Sequence, residues 1–242
     1  SNVTMAGYEC VVKKPDGDAP VDLVIMILHG FGASNSDFAD MPTMLNSAAP
    51  QLAGTKRIGW VFPQAPVGDM GATAWWTLDP MKWMMAAQTG SAGIATLIRE
   101  EPPGLAECRE KMATLVGEVR AAFGDLPMAK LGLAGFSQGA MTVMDLALHL
   151  DETVAGVTML SGAPIVVEQW AVRLKQHKGI RVLVTHGTSD QVLPFAASGW
   201  TKQLLESGGA AVNLQTHSGG HELGDSATIA SIMAFWALIA GN

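Results

Sequence analysis

Six short apolar runs recur along the chain, each followed by a longer amphipathic stretch, and that alternation leaves few folds open. The runs are Val21 to Leu28, Arg57 to Phe62, Lys130 to Ala134, Val154 to Leu160, Ile180 to Thr185 and Val212 to Thr216. They are too short for buried helices and lack strict polar alternation, so they suit parallel strands covered on both faces. Between them, Leu105 to Phe123 places Cys108, Met112, Leu115, Val116 and Val119 at spacings of three and four, the helix period. Met141 to Leu150, Gln169 to Lys178, Phe195 to Glu206 and Ala227 to Ile239 read as further helices. Strand alternating with helix predicts an α/β fold, a doubly wound and mostly parallel sheet with helices on both faces. Tyr8 to Lys13 alternates more cleanly and reads as an antiparallel edge strand. No Gly/Ser/Pro linker or internal repeat divides the chain, so residues 1–242 are expected to form a single domain.

Composition narrows the partners. Apolar residues make up 48% and charged residues 15%, enough for a buried sheet and too apolar for a disordered chain. The formal charge of −7, without a basic run, repels a phosphate backbone and argues against nucleic acid. No apolar run approaches the ~20 residues of a membrane helix, and Ser1 to Lys14 lacks a signal-peptide layout. A soluble protein with no membrane span is the expectation, with a cytoplasmic location as the default. Cys10 and Cys108 lie far apart, fit no metal spacing and are expected to be free thiols, with no metal site.

The stretch Leu131-Gly132-Leu133-Ala134-Gly135-Phe136-Ser137-Gln138-Gly139-Ala140 carries the chemistry. An apolar strand runs into Gly-x-Ser-x-Gly and then into a helix, the context of a nucleophile elbow. Gly135 and Gly139 would let strand and helix approach closely, while the tight turn lifts the Ser137 hydroxyl above the sheet. The Gln138 N–H would face the same point from a helix N-terminus, where partial positive charge favours an oxyanion.

A serine hydroxyl needs a base, and six histidines compete for that role. His29 ends the first buried strand, before Gly30-Phe31-Gly32, and would shape an oxyanion loop whose donor is the Phe31 N–H. His149 reads as a surface or capping residue, His177 beside Lys175 and Lys178 as a solvated helix end, and His186 as a strand terminus. His217 and His221 follow the last strand. In α/β-hydrolases the chain order is Ser, then acid, then His, which points to Asp190 after the next-to-last strand. His221, in Ser218-Gly219-Gly220-His221, has the flexible loop that His217 lacks and is preferred over it. Glu222 and Asp225 follow the base too closely to orient it and are assigned to the start of the last helix. The side chain of Asp145 has no assigned direction. The mechanism expected is acyl transfer through a Ser137 acyl-enzyme, with His221 as base and Asp190 as its orienter.

Residues 73–99 occupy a place where a short connection would do. Three of the seven tryptophans and three of the fourteen methionines fall between Trp75 and Met85. Two readings stand: a satellite core beneath a long loop, or an apolar lid-like insertion over an acyl pocket. On the second reading Trp75, Trp76, Trp83 and Met84, with Val192 across the site, would line the substrate pocket.

Taken together, Leu28-His29-Gly30-Phe31-Gly32, Pro63-Gln64-Ala65-Pro66, Ala74-Trp75-Trp76, Gly135-Phe136-Ser137-Gln138-Gly139, Ala155-Gly156-Val157, His186-Gly187-x-x-Asp190-x-Val192-x-Pro194 and Gly220-His221 resemble the phospholipase/carboxylesterase family, which includes acyl-protein thioesterases. The resemblance spans nearly the whole chain. It implies the α/β-hydrolase fold, hydrolysis of short- to medium-chain acyl esters or thioesters, no cofactor, and often a homodimer. Lysophospholipase activity is a further possibility on the same site. The chain departs from the family at Phe31, usually a smaller aliphatic, at Ala33, often Asp, and at Trp75-Trp76-Thr77-Leu78-Asp79, where the family has Trp-Phe-Asp. An acyltransferase, a cofactor-free haloperoxidase-like enzyme or a non-catalytic binding protein are the rival readings. Dienelactone-hydrolase-like chemistry would call for Cys at position 137, where this chain has Ser.

Overall fold

A computed structural model describes residues 1–241. Its eight strands are β1 (Asn2–Met5), β2 (Tyr8–Lys13), β3 (Leu23–Leu28), β4 (Ile58–Pro63), β5 (Leu131–Phe136), β6 (Gly156–Leu160), β7 (Arg181–Gly187) and β8 (Ala211–His217). They form one sheet in the order β1-β2-β4-β3-β5-β6-β7-β8. From β4 across to β8 every pairing is parallel, while β1 and β2 add an antiparallel flank. Tyr8–Lys13, expected at the edge, is therefore the second strand, and Asn2–Met5 takes the edge. That outer strand escapes pattern reading because it is only four residues long and its first three are exposed.

All six residues of β3 are buried, which explains its unbroken apolar run. The period-2 pleat still divides them. Leu23, Ile25 and Ile27 meet α1 (Met41–Ala48), α2 (Pro50–Thr55) and α9 (Ser226–Ile239) through Met41, Leu45, Leu52, Ile232 and Trp236. Val24, Met26 and Leu28 face the larger second layer. There lie α3 (Pro80–Gln88), α4 (Ser91–Leu97), α5 (Leu105–Ala122), α6 (Gln138–His149), α7 (Val167–Arg173) and α8 (Ala196–Ser207). Among the described residues no helix is long and apolar enough to cross a membrane. Cys10 and Cys108 are buried free thiols.

Residues 73–99 divide by side chain. Trp75, Trp76, Trp83, Ile94 and Ile98 belong to the main core, whereas Met81, Met84 and Met85 are exposed. On α3, turning Trp83 inward carries positions 81, 84 and 85 outward. His177, read as solvated, is in fact buried and hydrogen-bonds Thr153 Oγ1 at 2.8 Å through Nδ1, while Lys175 and Lys178 on either side take the water-facing positions.

Asp145, in the middle of α6, sits in the second layer with its carboxylate fully engaged. Arg109 donates to both of its oxygens at 2.9 and 3.1 Å, and Trp170 Nε1 donates at 3.0 Å. Removing the acid leaves a half-buried guanidinium and an indole N–H without their acceptor. Asp145→Ala should lower the unfolding free energy by about 3 kcal/mol, read as a shifted urea midpoint. An unchanged midpoint would show that water replaces the carboxylate at no cost.

Candidate active site

Ser137 lies between β5 and α6 with φ 57° and ψ −116°, a conformation that L-residues avoid. Backbone contact on both sides enforces it. A side-chain carbon on Gly135 would lie 2.2 Å from Gly139 O, and one on Gly139 would lie 2.1 Å from Leu28 O. Only glycine fits either place. The Ser137 N–H donates to Leu160 O at 2.8 Å, tying the turn to β6.

The loops after β7 and β8 bring the acid and the imidazole to this point. His221 Nε2 lies 3.0 Å from Ser137 Oγ, and His221 Nδ1 lies 2.8 Å from Asp190 Oδ2. Burial works to raise the Asp190 pKa, but hydrogen bonds from His186, His221 and the Leu193 N–H outweigh it and hold the carboxyl well below the usual carboxylate range. An ionised carboxylate only accepts, so His221 Nδ1 donates to it and Nε2 is left to accept a hydrogen bond from the Ser137 hydroxyl. Phe136 supports the imidazole, with ring centroids 4.9 Å apart. The two loops dock through main chain: Thr188 N donates to His217 O at 2.8 Å and Ser189 N to Gly219 O at 3.0 Å. Gly187 makes room for this, since a Cβ there would lie 2.3 Å from Gly219 O and Gly220 O. Ser161 Oγ anchors the far side of the loop by donating to Glu222 O at 3.1 Å. His217 accepts from the Gly219 N–H at 3.1 Å and thus braces the loop that carries His221. Asp225 caps α9 through the Thr228 N–H.

Gly30 and Phe31 border the same point. A Cβ on Gly30 would lie 3.4 Å from Ser137 Cβ, and the N–H groups of Phe31 and Gln138 donate to no other group among the described residues. The buried His29 holds this loop in shape. Its Nε2 accepts from the Ala65 N–H at 3.0 Å, so the proton sits on Nδ1, which donates to Gly30 O at 2.8 Å. Desolvation lowers the pKa of His29 and keeps it in that neutral form. Residues 73–76 then clasp loop and elbow together. Thr73 O accepts from the Gly32 N–H, and Trp75 Nε1 donates to His29 O, both at 2.8 Å. The Gln138 side chain accepts from the Trp75 N–H at 3.1 Å and donates to Trp76 O at 2.8 Å.

With this geometry in place, comparison with known proteins decides the family. The phospholipase/carboxylesterase family profile matches residues 8–238. The chain belongs to that family. Acyl-protein thioesterase 1 of Debaryomyces hansenii is 26% identical over 218 residues, covering 89% of this chain and 90% of the yeast protein. The Eremothecium gossypii protein of the same name is 28% identical over 74% of this chain and 71% of its own length. Among solved structures, a carboxylesterase from Mesorhizobium loti superposes with a TM-score of 0.70 at 18% identity, covering 98% of both chains. Arabidopsis thaliana SOBER1 gives 0.68 at 20% identity, over 90% of this chain and 98% of its own. This phospholipase/carboxylesterase-family member is therefore a hydrolase with the α/β-hydrolase fold.

Two adjoining cavities lead away from the loop of Phe31 in this family member. One, of ≈ 180 Å³, is bordered by Phe31, Met70, Trp75, Trp76 and Leu78. The other, of ≈ 280 Å³, shares Trp76, Thr77 and Leu78 with it and continues to Trp83, Leu97 and Ile165. Trp75, Trp76 and Trp83 thus line cavity walls. Met84 and Val192, assigned with them, line neither cavity. Met84 faces outward on α3, and Val192 stands exposed, engaged through its backbone N–H to Asp190 Oδ1 at 2.8 Å. Among the described residues no cluster of three or more His, Cys, Asp or Glu side chains is arranged to hold a metal ion. Sequence reading missed the side chain of Gln138 and the part of His186. Both lie inside quoted motifs, but only contacts distant in sequence reveal what they hold.

The depressed carboxyl of Asp190 has a sign that can be checked. The stabilisation it gives is complete above the unfolded value of about pH 4 and is lost as the pH falls through the lower folded value. Asp190→Asn should therefore unfold at lower urea than the parent at neutral pH, with the gap closing only below about pH 4. A gap already closed between about pH 5 and 6 would contradict a carboxyl held ionised in the folded state.

Proposed function

We propose that the protein is a serine esterase that cleaves short- to medium-chain acyl esters through a Ser137 acyl-enzyme. The observation that carries this reading is the unbroken contact from Asp190 through His221 to Ser137, at 2.8 and 3.0 Å. Ser137 Oγ attacks the ester carbonyl as its proton passes to His221 Nε2. Asp190 keeps the Nδ1–H tautomer and stabilises the imidazolium without taking the proton. The carbonyl oxygen, now anionic, is received by the Phe31 and Gln138 N–H groups, and the loss of one such donor costs about 3 kcal/mol of transition-state stabilisation. The imidazolium returns its proton to the leaving oxygen as the C–O bond breaks. Water then repeats the sequence, with His221 as base, and releases the acid.

The acyl chain fits the two adjoining cavities, whose walls are mostly apolar. The far cavity also carries Asp79, Glu100 and Glu101 against Lys82 alone, an excess of negative charge unfavourable to polyanionic acyl carriers. A second reading, thioester hydrolysis, draws on the relatives named acyl-protein thioesterase 1. The same attack serves both, because a thiolate leaves at least as readily as an alkoxide.

A fluorophosphonate probe should label the protein at Ser137 and fail to label Ser137→Ala. His221→Ala should lower p-nitrophenyl butyrate turnover by roughly a thousandfold or more, whereas His217→Ala should retain most of it. An active but unlabelled protein would sink the assignment, and the reverse histidine result would exchange their roles. Running matched esters and thioesters on one sample ranks the two readings.

Filling the far cavity tests where the chain lies. Leu97→Trp should lower kcat/KM for decanoyl esters by about tenfold while leaving acetyl esters within about twofold. Equal losses at both lengths would place the acyl chain elsewhere.

A further inference from the structure

Behind the acid of the site lies a second buried histidine. His186, near the end of β7, is fully buried, with Nε2 at 2.9 Å from Leu193 O and 3.2 Å from Asp190 Oδ2. Both neighbours are acceptors, so this nitrogen carries a proton in either charge state of the ring. Nδ1 meets the hydroxyl of Ser198, itself buried on α8, and Phe195 packs edge-on at a centroid distance of 6.0 Å. The ring is thereby fixed in rotation. Asp190 Oδ1 takes the Val192 and Leu193 N–H groups at 2.8 Å each, which leaves Oδ2 to be shared by the two histidines. The polar chain reads Ser137, His221, Asp190, His186, Ser198, with a hydroxyl at each end.

We propose that His186 is a positioning residue: its Nε2 edge, bonded to Leu193 O and 3.2 Å from Asp190 Oδ2, holds that oxygen in the direction that meets His221 Nδ1, and so sets the orientation of the base. The proposal rests on the reading of Ser137, His221 and Asp190 as the reacting set. Without His186, Oδ2 keeps a single side-chain donor, and the carboxylate, still held at Oδ1 by the Val192 and Leu193 N–H groups, loses the contact that fixes where Oδ2 points. His221 then loses its alignment when the imidazolium forms, a step that substrate binding does not involve. Turnover falls while KM stays. A residue that merely joined β7 to Leu193 and to α8 would alter stability and leave the turnover of folded protein untouched.

His186→Gln and His186→Leu separate these cases, with active sites counted by fluorophosphonate titration. The glutamine amide offers two N–H donors, one for Leu193 O and one for Asp190 Oδ2. It should keep kcat within about threefold of the parent, and leucine should lower kcat by roughly thirtyfold at unchanged KM. Equal kcat in the two variants, or a loss confined to KM, overturns the proposal. If the leucine variant does not fold, Ser198→Ala carries the test. It should lower kcat about fivefold in the parent and not at all in the His186→Gln background, which has no Nδ1 to anchor; an equal loss in both overturns the proposal. Turnover that survives in Ser137→Ala and His221→Ala would instead overturn the reading of the reacting set, a result distinct from any of these.

Discussion

Backbone pressed against backbone at Gly139 is the contact on which the site depends. The absent side chain there lets α6 start against Leu28 O, and the matching absence at Gly135 lets β5 turn under the same helix. Ser137, between them, is held at a positive φ that it would not adopt alone. The strain is sustained by the buried sheet on one side and by the packed α6 on the other. Because β5 is flanked by β3 and β6, the hydroxyl emerges where the loops after β3, β7 and β8 also end. Convergence at the carboxyl ends of parallel strands is a property of the sheet, and the loops only exploit it.

The second constraint is the clasp made by residues 73–76. Trp75 and Trp76 read most simply as greasy pocket walls, and on one side both border a cavity. Their polar atoms serve the neighbouring loops instead. The Trp75 indole holds His29 O, and the backbone groups of both tryptophans are bound by the side chain of Gln138. One residue, Gln138, thus follows Ser137 directly at the start of α6 and sets its side-chain amide on the neighbouring loop. In the outer part of the insertion Met81, Met84 and Met85 stand in water.

Much of this was legible in the sequence because it follows period and order. Short apolar runs marked β3 to β7, and Gly-x-Ser-x-Gly between strand and helix marked the turn at Ser137; Val212 to Thr216, read with them as covered on both faces, is instead the half-exposed edge strand β8, where its alternation of apolar and polar residues belongs. The order acid-then-histidine singled out Asp190 and His221, which the fold brings together with Ser137. What stayed hidden depends on partners distant in the chain. Nothing local to Lys175-Gln176-His177-Lys178 says that the imidazole turns under toward Thr153. Nothing in Asn2–Met5 says that a short polar segment will cover the edge of Tyr8–Lys13. Met84 was assigned from an apolar cluster, and apolarity does not record the direction a side chain takes.

The joining of the acid and histidine loops has an evolutionary consequence. Their docking uses amide and carbonyl groups of Thr188, Ser189, His217 and Gly219, and the bare α-carbon of Gly187. Main-chain groups are the same in every amino acid but proline, so most positions along these loops are free to drift without parting the two halves. A lineage can therefore exchange most of its surface, reshape the segment from residue 73 onward, and still inherit the same fold, as it does in structural kin at about one identical residue in five.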